Sequence, residues 1–168
     1  TLVGASEELS DIRLDFASTH AEANNRSYAL AEGACLFSLE REETAENRGG
    51  RVLAKVHGFS SCFCPDLQQG YDRCISKLSQ SSQGPITHII CLEEQPPQLH
   101  APESDPVVIK LYERFGETGT LGGALGVATA LYDPSIPRGS LVAVYSHNDL
   151  GNHAALLIEP LTTTHMDH

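Results

Sequence analysis

The densest run of chemically capable side chains is Tyr145-Ser146-His147-Asn148-Asp149, where a hydroxyl, an imidazole and a carboxylate stand side by side. These are the parts of a hydrolytic relay. On a strand, however, neighbouring side chains point to opposite faces, so adjacency in sequence does not build a triad. The Gly-x-Ser-x-Gly turn that exposes a nucleophilic serine is also missing from the sequence. Thr1 offers a second chemistry, because a free amine beside a hydroxyl lets an N-terminal threonine act as its own base. The same residue is a candidate processing site, at which an acyl shift to the hydroxyl would cut the chain just before it; its plainer reading is an end left by a protease. Cys62-x-Cys64 lacks the two-residue spacer of a zinc hairpin and no second pair follows, so no metal is expected. His20, His57, His88, His100 and His153 show no ligand spacing, and His165 and His168 fall in the final residues.

The stretch from Gly116 to Gly126 is the most distinctive in the chain. It lacks the Lys-Ser/Thr of a phosphate loop and the spacing of a dinucleotide fingerprint, so it is not read as a nucleotide site. Gly119, Gly122 or Gly123, Gly126 and Ala130 instead recur at helical spacing and lay down a stripe free of side chains. Each such glycine costs a helix about 1 kcal/mol relative to alanine, which a requirement for close packing against another backbone would offset.

The elements that must position these groups alternate between strands and helices. Leu2–Ala5 reads as a buried strand, followed by a long polar connection over 8–27. Cys35, Phe37 and Leu39 fall at a period of two inside Tyr28–Glu40, predicting a largely buried strand. Arg41–Arg48 reads as a helix stopped by Gly49-Gly50, and Arg51–Phe59 as a strand with one wet face. Asp66 is placed to cap a helix whose buried stripe is Leu67, Tyr71, Cys74, Ile75 and Leu78, with a polar linker over Ser79–Gly84. Ile86–Leu92 reads as a strand, Gln95–Pro106 as a Pro-rich loop, Val107–Phe115 as a short helix and Thr118–Tyr132 as a Gly/Ala-rich helix. Leu141–Tyr145 and Ala154–Glu159 read as a closing hairpin, and Thr162–His168 as a loose tail. Such alternation predicts an α/β layered fold.

Composition narrows the functional classes. Forty per cent hydrophobic and 20% charged residues fit one globular domain able to bury a core. Eleven Lys and Arg against 22 Asp and Glu leave a formal net charge of -11, which opposes binding to nucleic acid or anionic lipid. No apolar run reaches the roughly 18 residues of a membrane span. Five cysteines form an odd, irregular set, expected as reduced thiols in a cytoplasmic protein.

Taken in order, these segments resemble the C-terminal half of a β-ketoacyl synthase of the thiolase fold. The correspondence begins at Val3-Gly4-Ala5-Ser6-Glu7 and continues after the long loop in Ala31-Glu32-Gly33-Ala34-Cys35-Leu36-Phe37-Ser38-Leu39-Glu40, which is similar to the family's Gly-Glu-Gly-Ala-Gly strand ending in Leu-Glu. The helix to Arg48-Gly49 and the strand Val52–Gly58 follow in the same sequence. Thr118-Gly119-Thr120 with Gly123-Ala124-Leu125-Gly126 looks like the family's Thr-Gly-His-x-x-Gly-Ala-Ala-Gly helix start, and Gly151-Asn152 like its closing Gly-rich Thr-Asn turn. The resemblance implies an α/β, αβαβα thiolase-like fold, of which residues 1–160 form the C-terminal half, with a flexible tail over 161–168. An N-terminal half on a separate or cleaved chain is then expected to complete it.

The departures from the family pattern set the functional expectation. Condensing enzymes of this family use a cysteine nucleophile from the N-terminal half and two histidines from the C-terminal half. The first histidine would fall near Leu92-Glu93-Glu94 and the second at Thr120, while the family's lysine lines up with Phe115. A carboxylate in place of an imidazole would repel a developing enolate. Glu93, Phe115 and Thr120 are therefore expected as degenerate positions with no catalytic role, and Gly119, Thr120, Gly122, Gly123 and Asn152 as lining of a tunnel or interface. The resemblance is then to a chain-length factor, the non-catalytic subunit that pairs with an active ketosynthase and shapes the acyl tunnel in polyketide, polyene or fatty acid biosynthesis. It implies no cofactor of the chain's own, acyl groups arriving on the phosphopantetheine arm of an acyl carrier protein that meets this subunit only indirectly. Two alternatives remain: an active condensing enzyme in which Glu93, Glu94 and Thr120 do unusual work, and an N-terminal-threonine hydrolase.

Overall fold

The computed structural model describes residues 1–7, 32–116 and 118–161; the connection expected over 8–27 and the tail over 162–168 lie outside these. In chain order the described elements are β1 (Leu2–Glu7), β2 (Gly33–Ser38), α1 (Glu42–Asn47), β3 (Ala54–Phe63), α2 (Leu67–Ser81), β4 (His88–Cys91), β5 (Val107–Lys110), α3 (Leu111–Phe115), a 3-10 turn (Gly119–Leu121), α4 (Gly122–Tyr132), β6 (Val142–His147) and β7 (Asn152–Pro160). Strands β3–β7 make one five-stranded sheet in the order β3-β7-β6-β4-β5, and β1 pairs with β2 in a separate two-stranded sheet. Within the larger sheet β5, β4 and β6 run parallel, and β7 runs against both β6 and β3.

Alternation along the strands divides the core into two layers. Ile89 and Cys91 of β4, Ala143 and Tyr145 of β6, and Ala155 and Leu157 of β7 pack with Tyr71, Cys74, Ile75 and Leu78 of α2. The intervening Ile90, Val142, Val144 and Ile158 pack on the other face with Ala130 of α4 and Leu111. Helix α4 also touches β1 and β2, so the layers run α2, five-stranded sheet, α4, two-stranded sheet.

Local chemistry explains most element ends. The Asp66 carboxylate accepts from the Gln69 amide at 2.8 Å, the N-cap that the sequence predicts. The helix runs on to Ser81 rather than giving way to a linker at Ser79, and the Ser81 hydroxyl donates back to the Lys77 carbonyl. The expected helix over Val107–Phe115 is corrected: Val107–Lys110 is strand β5, and only Leu111–Phe115 is helical. The β-branched Val107, Val108 and Ile109 find a parallel partner in His88–Ile90, and tertiary pairing decides their state. β3 also extends beyond Phe59 to Phe63, held residue by residue to β7 as far as Asn152. The helix expected over Thr118–Tyr132 opens as a 3-10 turn before α4 begins.

β1 and β2 depart furthest from expectation. Both are strands, and Cys35 and Phe37 share the inward face as their period predicts, yet they are only half-buried. Leu2 and Leu36 are 70% and 69% exposed. Helix α4 covers one side of this two-stranded sheet, and among the described residues no layer covers the other.

Close approach of α4 to the sheet depends on glycine. A Cβ at Gly126 would stand 2.5 Å from Val144 Cγ1 and 3.2 Å from Leu92 Cδ2. Overpacking of this kind costs typically 1–3 kcal/mol, so Gly126→Ala is expected to lower the urea unfolding midpoint by a corresponding amount, and Val144→Ala in the same chain to recover part of the loss. Equal midpoints for Gly126→Ala and the parent would refute the contact.

Candidate functional site

Parallel strands run to the same edge of a sheet, and the pairing of β4 with β6 ends with Cys91 opposite Tyr145. The next residues of each, Leu92-Glu93 and Ser146-His147, therefore arrive together although 54 residues separate Glu93 from His147. The start of β7 and the end of β3 complete this edge, with His153 opposite Cys62.

The buried part of the edge is a hydrogen-bonded aromatic cluster. His153 is 3% exposed; its Nε2 lies 2.9 Å from the Cys64 carbonyl and its Nδ1 2.8 Å from the Tyr145 hydroxyl. A carbonyl only accepts, so Nε2 carries the proton and, in the neutral ring, Nδ1 accepts from Tyr145. Tyr71 packs edge-on to Tyr145, ring centroids 5.0 Å apart, and its hydroxyl donates to the His100 carbonyl while accepting from the His100 amide. Burial pushes both tyrosine hydroxyls far above their ordinary range. Gly70 is required beside this cluster, since a Cβ there would overlap the His153 imidazole.

Glu93 and His147 form the charged part. Glu93 Oε1 accepts from the His147 amide at 2.9 Å, and Oε2 accepts from the Cys91 thiol at 3.4 Å. The same Oε2 lies 3.5 Å from His147 Nδ1, a buried ring nitrogen with no hydrogen bond of its own. Burial acts to raise the Glu93 carboxyl, but His147 and Ser146 outweigh it and hold the group below its ordinary value. A cavity of about 540 Å³ opens here, bounded by Ser61, Cys62, Ser146, His147, Asn152 and His153 among others. A second, almost wholly apolar cavity of about 340 Å³ lies between the sheets beside α4, lined by Phe37, Phe59, Leu92, Gly123, Val127 and Leu156 among others. The two meet at Ser146 and Ala154, which border both.

The residues singled out in the sequence are distributed over these features. Asn152 lines the polar cavity, Glu93 stands behind the His147 that lines it, and Gly123 lines the apolar one. Gly122 is buried, with Thr118 and Leu92 where its Cβ would be; Gly119 is exposed at a φ of 52° and Thr120 follows it in the 3-10 turn. Phe115 ends α3, 44% exposed. Thr1 lies apart, its amine donating to the Leu39 carbonyl at 2.9 Å, and it borders neither cavity. Within Tyr145–Asp149 the side chains do not converge: Tyr145 and His147 turn to the α2 face, and the carboxylate that meets His147 is Glu93, not Asp149. The pairing of Glu93 with His147 is absent from the sequence reading, which treats them separately; the signal for it is that two parallel strands each carry a polar residue two places past a buried Cys91 or Tyr145. Among the described residues no group of three or more His, Cys, Asp or Glu could hold a metal.

The five cysteines are free. Burial pushes the Cys74 thiol up to about 11 and the Cys91 thiol up to about 12, so at pH 8 at most about one Cys74 in a thousand is thiolate, and fewer for Cys91. Iodoacetamide at pH 8 is accordingly expected to leave both unmodified in the folded chain, read by peptide mass spectrometry, and to label them after unfolding; rapid native labelling of either would contradict the burial. Glu93 supplies a pH signature. Its lowered folded value means that its contribution to stability is present above the ordinary value of 4.5 and is lost as pH falls through the folded value. Unfolding free energy measured from pH 5.5 downwards is expected to fall more steeply for the parent than for Glu93→Gln.

No family model and no curated protein matches the sequence. Solved structures do. The ishigamide ketosynthase/chain length factor superposes with a TM-score of 0.72 at 20% identity, over 96% of this chain and 49% of the other. A β-ketoacyl synthase from Burkholderia phymatum gives 0.71 at 18% identity, over 96% and 54%. A thiolase from Ascaris suum in complex with coenzyme A gives 0.54 at 21% identity, over 76% and 36%. The chain thus spans about half the length of the ketosynthases it matches. The α2–sheet–α4–sheet layering, with its Gly-rich helix between two sheets, is the thiolase-like fold in the form that β-ketoacyl synthases adopt.

Proposed function

We propose that this chain is a non-catalytic, ketosynthase-like subunit of the chain-length-factor kind, acting in the cytoplasm with an active ketosynthase partner and forming part of the wall of an acyl tunnel. The observation that carries the reading is the chemistry at the end of β4 and the start of α4: Glu93 and Thr120 occupy the places where the family resemblance calls for imidazoles, and Cys74 and Cys91 are buried and held as thiols. An anionic Glu93 at this edge opposes build-up of enolate charge. The apolar cavity between the sheets supports a wall that handles alkyl chains. A net charge of -11 makes the chain a poor dock for an acidic carrier protein, leaving carrier docking to the partner.

A companion N-terminal half belongs to the same proposal. β1 and β2 have the apolar pattern of buried strands, and the exposure of Leu2 and Leu36 is the surface that a further layer would cover. A two-stranded sheet is marginal by itself. The pathway is proposed to be one of polyketide, polyene or fatty acid assembly, with acyl groups delivered by the phosphopantetheine arm of a carrier protein and no cofactor resident on this chain.

Reconstitution tests the reading. With a malonyl carrier protein, this chain and its companion half are expected to give no condensation product, and product is expected only when an active ketosynthase is added; its chain length should change when this chain is withdrawn or exchanged. Product at a comparable rate without the ketosynthase would overturn the reading in favour of an active condensing enzyme.

A further inference from the structure

We infer that Glu93 and His147 make a hydrogen-bond acceptor at the mouth of the polar cavity, selective for an uncharged acyl chain that bears a hydroxyl group. This deepens the tunnel-wall reading and rests on it.

The argument starts from the tautomer. His147 Nδ1 is buried and has no other acceptor than Glu93 Oε2, 3.5 Å away. A carboxylate at that distance favours the ring proton on Nδ1, which leaves the Nε2 lone pair available as an acceptor. Glu93 cannot turn away, because Oε1 is held by the His147 amide and Oε2 by the Cys91 thiol. The ring is packed as well: the His147, Tyr145 and His153 rings form a mutual cluster, with the His147 centroid 5.9 Å from each of the other two and its plane at 18° to His153. Its side chain is 11% exposed, and it borders the cavity of about 540 Å³. A fixed acceptor calls for a donor on the ligand.

Charge narrows the donor to a neutral one. Among the described residues no Lys or Arg lines the polar cavity, and Glu93 is ionised at neutral pH. An anionic head group would meet no net cation and lose its hydration. Under the tunnel-wall reading the ligand is an acyl chain, whose polar substituent is a hydroxyl rather than an ammonium, and the apolar cavity that shares Ser146 and Ala154 with the polar one would take its alkyl part. A hydroxyl carried on an alkyl chain satisfies both cavities.

Matched probes test the inference: the N-acetylcysteamine thioesters of decanoate and 3-hydroxydecanoate, titrated calorimetrically into the full chain paired with its companion half and into the same pair carrying His147→Phe. The hydroxylated probe is expected to bind about tenfold more tightly to the parent, a gain typical of one buried hydrogen bond, and the two probes are expected to bind alike to the variant. Equal affinities in the parent, or a preference that persists in His147→Phe, would overturn the hydroxyl assignment and leave the tunnel-wall reading standing. Failure of both probes to bind the parent would overturn the tunnel-wall reading and this inference together. A measurement on the unsubstituted side chain is independent of variant folding: nitrogen-15 shifts of His147 are expected to report the Nδ1-protonated tautomer, and an Nε2-protonated ring would overturn the inference.

Discussion

Parallel pairing of β4 with β6 is the constraint from which the rest of the molecule follows. It sets His88 to Cys91 against Val142 to Tyr145, residue by residue. That register sends Cys91 and Tyr145 to the α2 face, and Ile90 and Val144 to the α4 face, so one pairing divides the core into its two layers. It also sets where the two strands stop. A shift of one residue would exchange the faces of β4, bury Glu93 among Leu92's partners and bring Leu92 to His147. Tight layering reinforces the register, since Val144 and Leu92 can fill the space beside α4 only where Gly126 leaves room.

The two cavities express this division in chemical form. On the α4 side, the sheet offers alkyl and aromatic carbon with almost no polar surface. At the strand ends it offers imidazole, hydroxyl and amide. The imidazoles are not equivalent. His153 has both ring nitrogens committed, to Tyr145 and to the Cys64 carbonyl, and works as a structural tie between β7 and the β3–α2 connection. His147 has a carboxylate neighbour and a cavity, the arrangement that gives an imidazole a directed lone pair. Both imidazoles stand with Tyr145 on the α2 side of the sheet.

What could be read in the sequence was what local spacing determines. The Asp66 cap, the α2 stripe, the close packing at Gly122 and Gly126 and the β6–β7 hairpin all depend on neighbours within a few residues, and all appear in the structure, whereas Gly119 stands exposed in the 3-10 turn and Gly123 faces open space. Val107–Lys110 could not be read this way, because its apolar run fits either a helix or a strand, and β4 is what selects the strand. The order of motifs, more than any one of them, carried the thiolase-like assignment. The Glu93–His147 contact lay beyond reach for a physical reason: it needs the register between two strands far apart in the chain, and no periodicity within either strand encodes that register.

The uncovered outer side of the β1–β2 sheet has a consequence for synthesis. Leu2 and Leu36 face outward from a pair of strands whose outer edges no other described strand pairs, a surface that another unpaired strand can join. Addition of a strand from a second chain is therefore the route to self-association that the described residues leave open, and it would grow with the concentration at which the chain is made.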